Sequence, residues 1–335
     1  MERKMPISMS DTEMRVTAQI AQYANVDDMH AALSDINLYW KKKHHAQRMG
    51  IATGSANHID LYVRAVLAAF DKSTNRKIVS LGSGDGAVET KIAQKLEQIG
   101  INDYEFHLHE LSPLQNARAK NNFREAGLNG NMITFETNLN EWQPQNSYAA
   151  YIAHHSLHHI VELERLFDLV LQSMDAGATF STFDMIGRNG HMRWPETHAI
   201  INALWHFLPE SQRYHSILKF KSADFRDHDC STQGFEGIRA QDILPELIKR
   251  FQFETFFAWG GLTDVFTGRG YGSNFSVNSP DDLKFIDLVD ELNEVLLDLG
   301  VVKPTVICAV MQKEQPANPL RFKDRQPERM LRLPT

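Results

Sequence analysis

Cysteine is nearly missing: the 335-residue chain has two, Cys230 and Cys308, far apart. Two distant thiols make neither a disulfide framework nor a cysteine zinc site, and a reducing cytosol is the compartment they imply. No apolar run approaches the ~20 residues a membrane helix needs. The first residues, MERKMPISMSDTEM, have no apolar stretch behind their charges and do not read as a secretory leader. Positive charge is not in excess either. Thirty-five Lys and Arg against 42 Asp and Glu give a net charge of -7. That disfavours general attraction to nucleic acid or anionic membrane, although a local basic patch stays open. Internal repeats and low-complexity tracts are also lacking. The expectation is a cytoplasmic, non-membrane globular protein of one or two domains with a large core.

Apolar periodicity divides the chain. Residues 1–75 read as a helical cap segment, clearest at Ile59–Phe70, where apolar residues recur at helical spacing. From residue 76, short apolar runs alternate with helical stretches. Strands are expected at Lys77–Leu81, Glu105–His109, Met132–Phe135, Tyr148–Ala153 and Ala178–Asp184. Helices are expected at Val88–Ile99, Pro113–Ala126 and Val161–Met174. Repeated strand-helix units predict a parallel sheet covered on both faces. Two insertions, 187–239 and 260–303, interrupt the pattern. The first holds a helix at Pro195–Leu208. The second ends in a helix with Ser279 as N-cap, Pro280 at its first position and Gly300 after its end. Between them come a helix at Ile243–Phe251 and a strand at Glu254–Trp259. Thr305–Met311 is the last strand, so the main domain spans 76–312. Residues 313–335 form a basic, Pro-rich tail, either mobile or wrapped onto the core or a partner.

The sharpest motif is Ile78-Val-Ser-Leu-Gly82-Ser83-Gly84-Asp-Gly86-Ala87, an apolar run entering closely spaced glycines ahead of a helix. Glycine allows a tight turn and close ligand approach, and helix-start N–H groups can then serve the ligand. Glu110, ending the second strand, has the spacing of a carboxylate that grips ribose hydroxyls. These letters fit two cofactors. Gly82-x-Gly84-x-x-Ala87 satisfies the dinucleotide pattern. Gly82-x-Gly84-x-Gly86 resembles motif I of the class I S-adenosylmethionine-dependent methyltransferases.

Three features favour the methyltransferase resemblance, which covers about residues 58–312. A helical segment precedes the first strand. The third strand leads into Asn138-Leu139, similar to the family's acidic or amide residue plus apolar neighbour at adenine, with Asn138 where Asp is usual. The chain ends strand, long connection, strand, as the family's reversed last strand requires. The resemblance implies a Rossmann-like doubly wound α/β sheet, mostly parallel with a reversed last strand. It implies S-adenosylmethionine as cofactor and S-adenosylhomocysteine as product. It places Gly82, Ser83, Gly84, Gly86, Glu110, Leu111, Asn138, Leu139 and His154 around the cofactor.

Two polar stretches remain. Ala153-His154-His155-Ser-Leu-His158-His159 follows the fourth strand. No carboxylate or cysteine completes a metal set there, so no metal is expected. His158 and His159 read as bracing the loop, while His155 would touch substrate. Asp184-Met-Ile-Gly-Arg188-Asn189-Gly-His191-Met-Arg193-Trp194-Pro-Glu196 leaves the carboxyl end of the fifth strand, the edge where ligands sit in open parallel sheets. Arg188, His191 and Arg193 are expected to face an anionic or polar acceptor, with Trp194 as a wall and His155 or His191 as the base. The reading is methyl transfer to oxygen or nitrogen of a small molecule, with a homodimer left open. A protein or RNA methyltransferase, a nicotinamide oxidoreductase, and a cofactor-binding protein without catalysis are the rivals.

Overall fold

The computed structural model describes residues 9–22, 33–128, 131–232 and 234–332. Parts of the expected N-terminal helical segment, 1–8 and 23–32, and residues 333–335 of the tail lie outside them.

Eight strands form one sheet. They are β1 (Lys77–Leu81), β2 (Glu105–Glu110), β3 (Met132–Glu136), β4 (Tyr148–His154), β5 (Met174–Met185), β8 (Gln252–Trp259), β9 (Val306–Gln312) and β10 (Leu320–Arg321). Their order is β10-β8-β9-β5-β4-β1-β2-β3. Pairing is parallel except at β9, which runs antiparallel to both β5 and β8. This is the doubly wound sheet with a reversed last strand that the sequence implies. A small hairpin, β6 (Tyr214–His215) with β7 (Phe220–Lys221), stands apart in the first insertion.

The central strands β1, β4 and β9 are nearly continuous apolar runs because helices bury both faces, whereas β2 alternates Phe106 and Leu108 with His107 and His109. Helices α1 (Met9–Gln22), α2 (Asp35–Trp40), α3 (Ala46–Thr53) and α4 (His58–Phe70) precede β1, and a π-helical turn, Lys41–His45, joins α2 to α3. After β1 and β2 come α5 (Ala87–Gln98) and α6 (Pro113–Glu125), and α7 (Leu163–Ser173) follows β4. One sheet face packs Tyr62, Val66 and Phe70 of α4, Ile92 and Leu96 of α5 and Phe123 of α6 against β1, β2 and β4. The N-terminal segment is therefore not all cap: α4 belongs to the layer that covers the sheet. Ser112 starts α6 by accepting from Gln115 N, the side-chain cap that satisfies an orphan helix N–H.

The remaining helices are α8 (Pro195–Phe207), α9 (Ala240–Arg250), α10 (Thr263–Thr267) and α11 (Pro280–Asp298). The opposite sheet face packs α7 and α9. A further apolar cluster joins α2, α3, α8, α10 and α11 over β8 and β9. The two insertions and the first helices thus share a core of their own beside the sheet. The basic tail wraps onto the fold. Arg325 is 3% exposed, pairing with Glu294 and Asp298 of α11, and Met330 is buried. No helix among the described residues is long and apolar enough to cross a membrane.

Candidate active site

The order of winding reverses between β1 and β4, so their carboxyl ends open a crevice, the usual ligand position in such sheets. The glycine loop fills one side. Gly82, Gly84 and Gly86 all take positive φ, +79°, +55° and +70°, which favours glycine. Their roles differ. A Cβ on Gly82 would lie 2.5 Å from Ser156 Cβ, and one on Gly86 would lie 2.8 Å from Ala119 Cβ. Gly84 alone of the three has no heavy atom within 4 Å of an added Cβ. It faces open space. The neighbouring Ser83 hydroxyl is buried without a partner, an unmet polar group aimed from the same turn.

Glu110 sits under this loop. One carboxylate oxygen accepts from Gly84 N at 3.0 Å, the other from Ser112 N at 2.8 Å. Burial raises its pKa, against the lowering effect of N–H donors from Ser112, Gly84 and Leu111. A carboxylate has about four acceptor positions, so Glu110 can hold the loop and still accept from ribose. Leu111 is half-buried beside it. Leu139 is buried and borders Gly82. Asn138 turns its amide oxygen to Asn140, at 3.1 Å from the backbone N and 3.2 Å from Nδ2. Its NH2 is engaged only at 3.5 Å, with Glu141. Behind them His109 stacks on Phe135 at 4.7 Å and takes a long bond from Trp142.

The exit of β4 closes the other side. Ser156 Oγ donates to Leu81 O at 2.6 Å, tying the β4 loop to the β1 end. His154 stacks on His58 of α4 at 4.6 Å, and its Nδ1 lies 3.1 Å from Tyr62 Oη. Burial, then His155, holds the His154 pKa well below the ordinary value. His155 takes φ +51°, outside the usual range for a side-chain-bearing residue. The residue keeps exposed surface, while its ring packs 4.7 Å from Phe183. Desolvation outweighs Asp184 there and lowers its pKa to about 4. The His155 imidazole is therefore neutral, its ring packed among His154, His158 and Phe183.

The stretch after β5 is wired differently from expectation. Asp184 is fully buried and accepts from Ser156 N, Leu157 N and Met185 N at 2.9, 2.7 and 2.8 Å, and from His158 Nδ1 at 2.5 Å. Burial favours neutral forms on both residues, but their attraction prevails: the His158 pKa rises and that of Asp184 falls. Arg193 pairs with Asp264 at 3.0 Å, and its other terminal nitrogen donates to His191 O. That guanidinium holds the two insertions together and is not free for an anionic acceptor, a correction that follows from the carboxylate supplied by α10. Arg188 reaches Arg193 O, and Trp194 lies 4.5 Å under the Arg332 guanidinium of the tail. His191 meets Glu236 at 2.8 Å.

Glu236 is the residue that the sequence reading missed. It is the carboxylate judged absent beside the histidine run, and the first insertion folds it against His158 and His191. Nothing local signals it, because its partners are on two other segments. An open recess of about 700 Å3 lined by Lys72, Asn75, Asn146 and Asp175 lies at the opposite, amino-terminal end of the strands.

No family model matches the sequence, and no curated protein does. Solved structures do align. A geranyl diphosphate methyltransferase in complex with GPP and sinefungin aligns over 89% of this chain and 99% of its own, at 11% identity and TM-score 0.45. An O-methyltransferase from the trans-AT PKS multienzyme of Brevibacillus brevis, in complex with S-adenosyl-L-homocysteine, aligns over 93% and 82%, at 14% identity and 0.42. The protein StiE O-MT aligns over 84% and 83%, at 10% identity and 0.43. At these identities and scores the likenesses carry no argument about the reaction. What stands on the chain's own topology is a Rossmann-like sheet with a reversed strand and a glycine-lined crevice at its switch point.

Proposed function

We propose that the protein transfers a methyl group from S-adenosylmethionine to an oxygen or nitrogen of a small polar or anionic molecule. The observation that carries the reading is β9, antiparallel between β5 and β8, in a sheet whose glycine crevice is lined by Glu110. An all-parallel dinucleotide fold lacks that reversal. The crevice adds chemistry to this topology. Gly84 opens on free space, Ser83 offers an unmet hydroxyl, Glu110 keeps acceptor capacity for ribose, and Leu139 presents an apolar surface suited to adenine.

The cofactor supplies an electrophilic methyl on a sulfonium. The chain has to position the acceptor and exclude water. His155 is the better placed of the two expected bases, because it follows the β4 end and keeps exposed surface there, whereas His191 is engaged by Glu236. A neutral imidazole of low pKa is a weak base. It suits an acceptor that sheds its proton as transfer proceeds. Strain at His155 is in keeping with a residue held for function. Around it, His58, Phe183 and Trp259 make an aromatic wall. Nearby, partial burial and then the Arg269 charge lower the Lys41 pKa.

Calorimetry with S-adenosylhomocysteine, NADH and NADPH tests the assignment. Binding of S-adenosylhomocysteine alone is expected. Binding of a nicotinamide cofactor in its place would overturn it.

A further inference from the structure

We infer that His158, His191 and Glu236 form a binding site for a divalent transition-metal cation of the zinc class. One ligand atom from each lies within 4.8 Å of the other two. His191 Nε2 is 2.8 Å from Glu236 Oε1, and His158 Nε2 is 3.4 Å from the same oxygen. Zinc–ligand bonds of about 2.0–2.2 Å in a tetrahedron put ligand atoms roughly 3.3–3.6 Å apart. The 3.4 Å edge already fits, and the 2.8 Å edge has to open by roughly half an ångström or more to take an ion.

Three features show a prepared site. First, His158 Nδ1 donates to Asp184, so its Nε2 points to Glu236 and is the nitrogen that would exchange its proton for a cation. Asp184 is itself fixed by three backbone N–H groups. Such a carboxylate behind a histidine sets the tautomer and ring direction of metal ligands. Second, the two loops carrying His191 and Glu236 are knitted together. Gly190 N donates to Gly237 O at 2.8 Å, and both glycines and His191 take positive φ. A Cβ on Gly237 would come within 3.1 Å of His191 Cε1, so glycine there lets the Glu236 loop reach the imidazole. Third, α1 braces that loop from behind, where Gln19 Oε1 accepts from Phe235 N at 3.0 Å.

Two imidazoles and one carboxylate, with no thiolate, suit Zn2+, Co2+, Ni2+ or Mn2+ better than Mg2+ or Ca2+. Side-chain exposures of 16% for His191 and 23% for Glu236 leave a route for water or a ligand to a fourth position. Without an ion, the same atoms make a plain hydrogen-bonded clamp, which is the competing account.

The test uses full-length protein dialysed against chelator, with Co2+ alone as the probe, followed by visible absorption and calorimetry. One Co2+ per chain is expected, with the intense bands of a four- or five-coordinate site and a rise in melting temperature. Glu236→Gln and His191→Ala should each weaken Co2+ by more than the ~10–100-fold that loss of an outer-shell partner costs. Weak six-coordinate bands, or undiminished binding in both folded variants, would overturn the site and leave the clamp. If neither variant folds, the wild-type spectrum and stoichiometry decide alone.

Discussion

The Gly84 N–H donates to Glu110 across 3.0 Å while the Gly84 α-carbon faces free space. The loop is therefore held from below and open above. Gly84→Val is expected to leave the protein folded and to abolish S-adenosylhomocysteine binding. The strained φ alone costs about 1 kcal/mol, typical of a residue forced left-handed. Gly82→Ala should behave in the opposite way, with a lowered melting temperature, because its Cβ would strike Ser156. Calorimetry and thermal melts on both variants check this. Intact binding in a folded Gly84→Val protein would remove the crevice as the cofactor site.

Glu110→Ala should weaken S-adenosylhomocysteine by about 1.5–3 kcal/mol, the usual value of hydrogen bonds to a charged group. Part of that loss reflects a loosened Gly84 turn. Glu110→Gln, which keeps one acceptor oxygen, should fall between wild type and Ala in the same titration.

Asp184→Asn is expected to destabilise the fold by about 3–5 kcal/mol, as when a buried ion pair loses one partner. The His158 imidazolium would be stranded in the core, and the amide would turn a donor toward N–H groups. Urea unfolding gives the number. A loss below about 1 kcal/mol would mean that His158 is neutral in the folded protein.

Glu89 gives a pH dependence. It is 1% exposed on α5, accepts from Ser80 Oγ at 2.7 Å, and has one oxygen without a partner. Burial outweighs the Ser80 bond and raises its pKa from 4.5 to about 7. The folded state then holds a proton that the unfolded state releases. The Glu89 contribution to stability is greatest below about pH 4.5, falls as pH rises toward 7, and levels off above. The slope cannot exceed about 1.4 kcal/mol per pH unit for one group. Glu89→Gln should erase that component in denaturation curves taken from pH 5 to 8. A variant curve parallel to wild type would show the carboxylate ionised throughout.

For His155, a pKa near 4 predicts that kcat/KM shows no His155 ionisation between pH 5.5 and 8, and His155→Ala should lower kcat ~100-fold or more if it is the base. An inflection near pH 6.5 that vanishes in the variant would place His155 in a far more polar setting. Unchanged kinetics would move the base elsewhere.

Seven of the eight sheet strands were legible because each carries apolar residues ended by glycine or a polar turn, and the last long helix because Ser279 and Pro280 mark its start by chemistry; the two-residue β10 in the tail was not. The π-helical Lys41–His45 was not. Five consecutive basic or histidine residues carry no periodicity. The glycine loop and Glu110 were readable since their spacing is local. The partners of the polar stretch after β5 were not readable because they are remote: Asp264 for Arg193, Glu236 for His191, Arg332 for Trp194. Single-sequence patterns carry no such pairings, so buried wiring and an open binding surface look the same. Arg325 repeats the point: the sequence leaves the tail either mobile or wrapped, and this cation lies buried between two acids of α11.

The pairing of β10 with β8 is only two residues long, Leu320 with Thr255 and Arg321 with Phe256. Its position gives it a second consequence. Without that short strand, β8 would end the sheet with unpaired N–H and C=O groups flanked by Phe253, Phe256 and Phe257. An exposed apolar edge of that kind recruits strands from other molecules. The tail therefore acts as a gatekeeper against edge-to-edge growth, and shortening the chain before residue 320 should cost colloidal stability, seen as concentration-dependent association, before it costs any chemistry in the crevice.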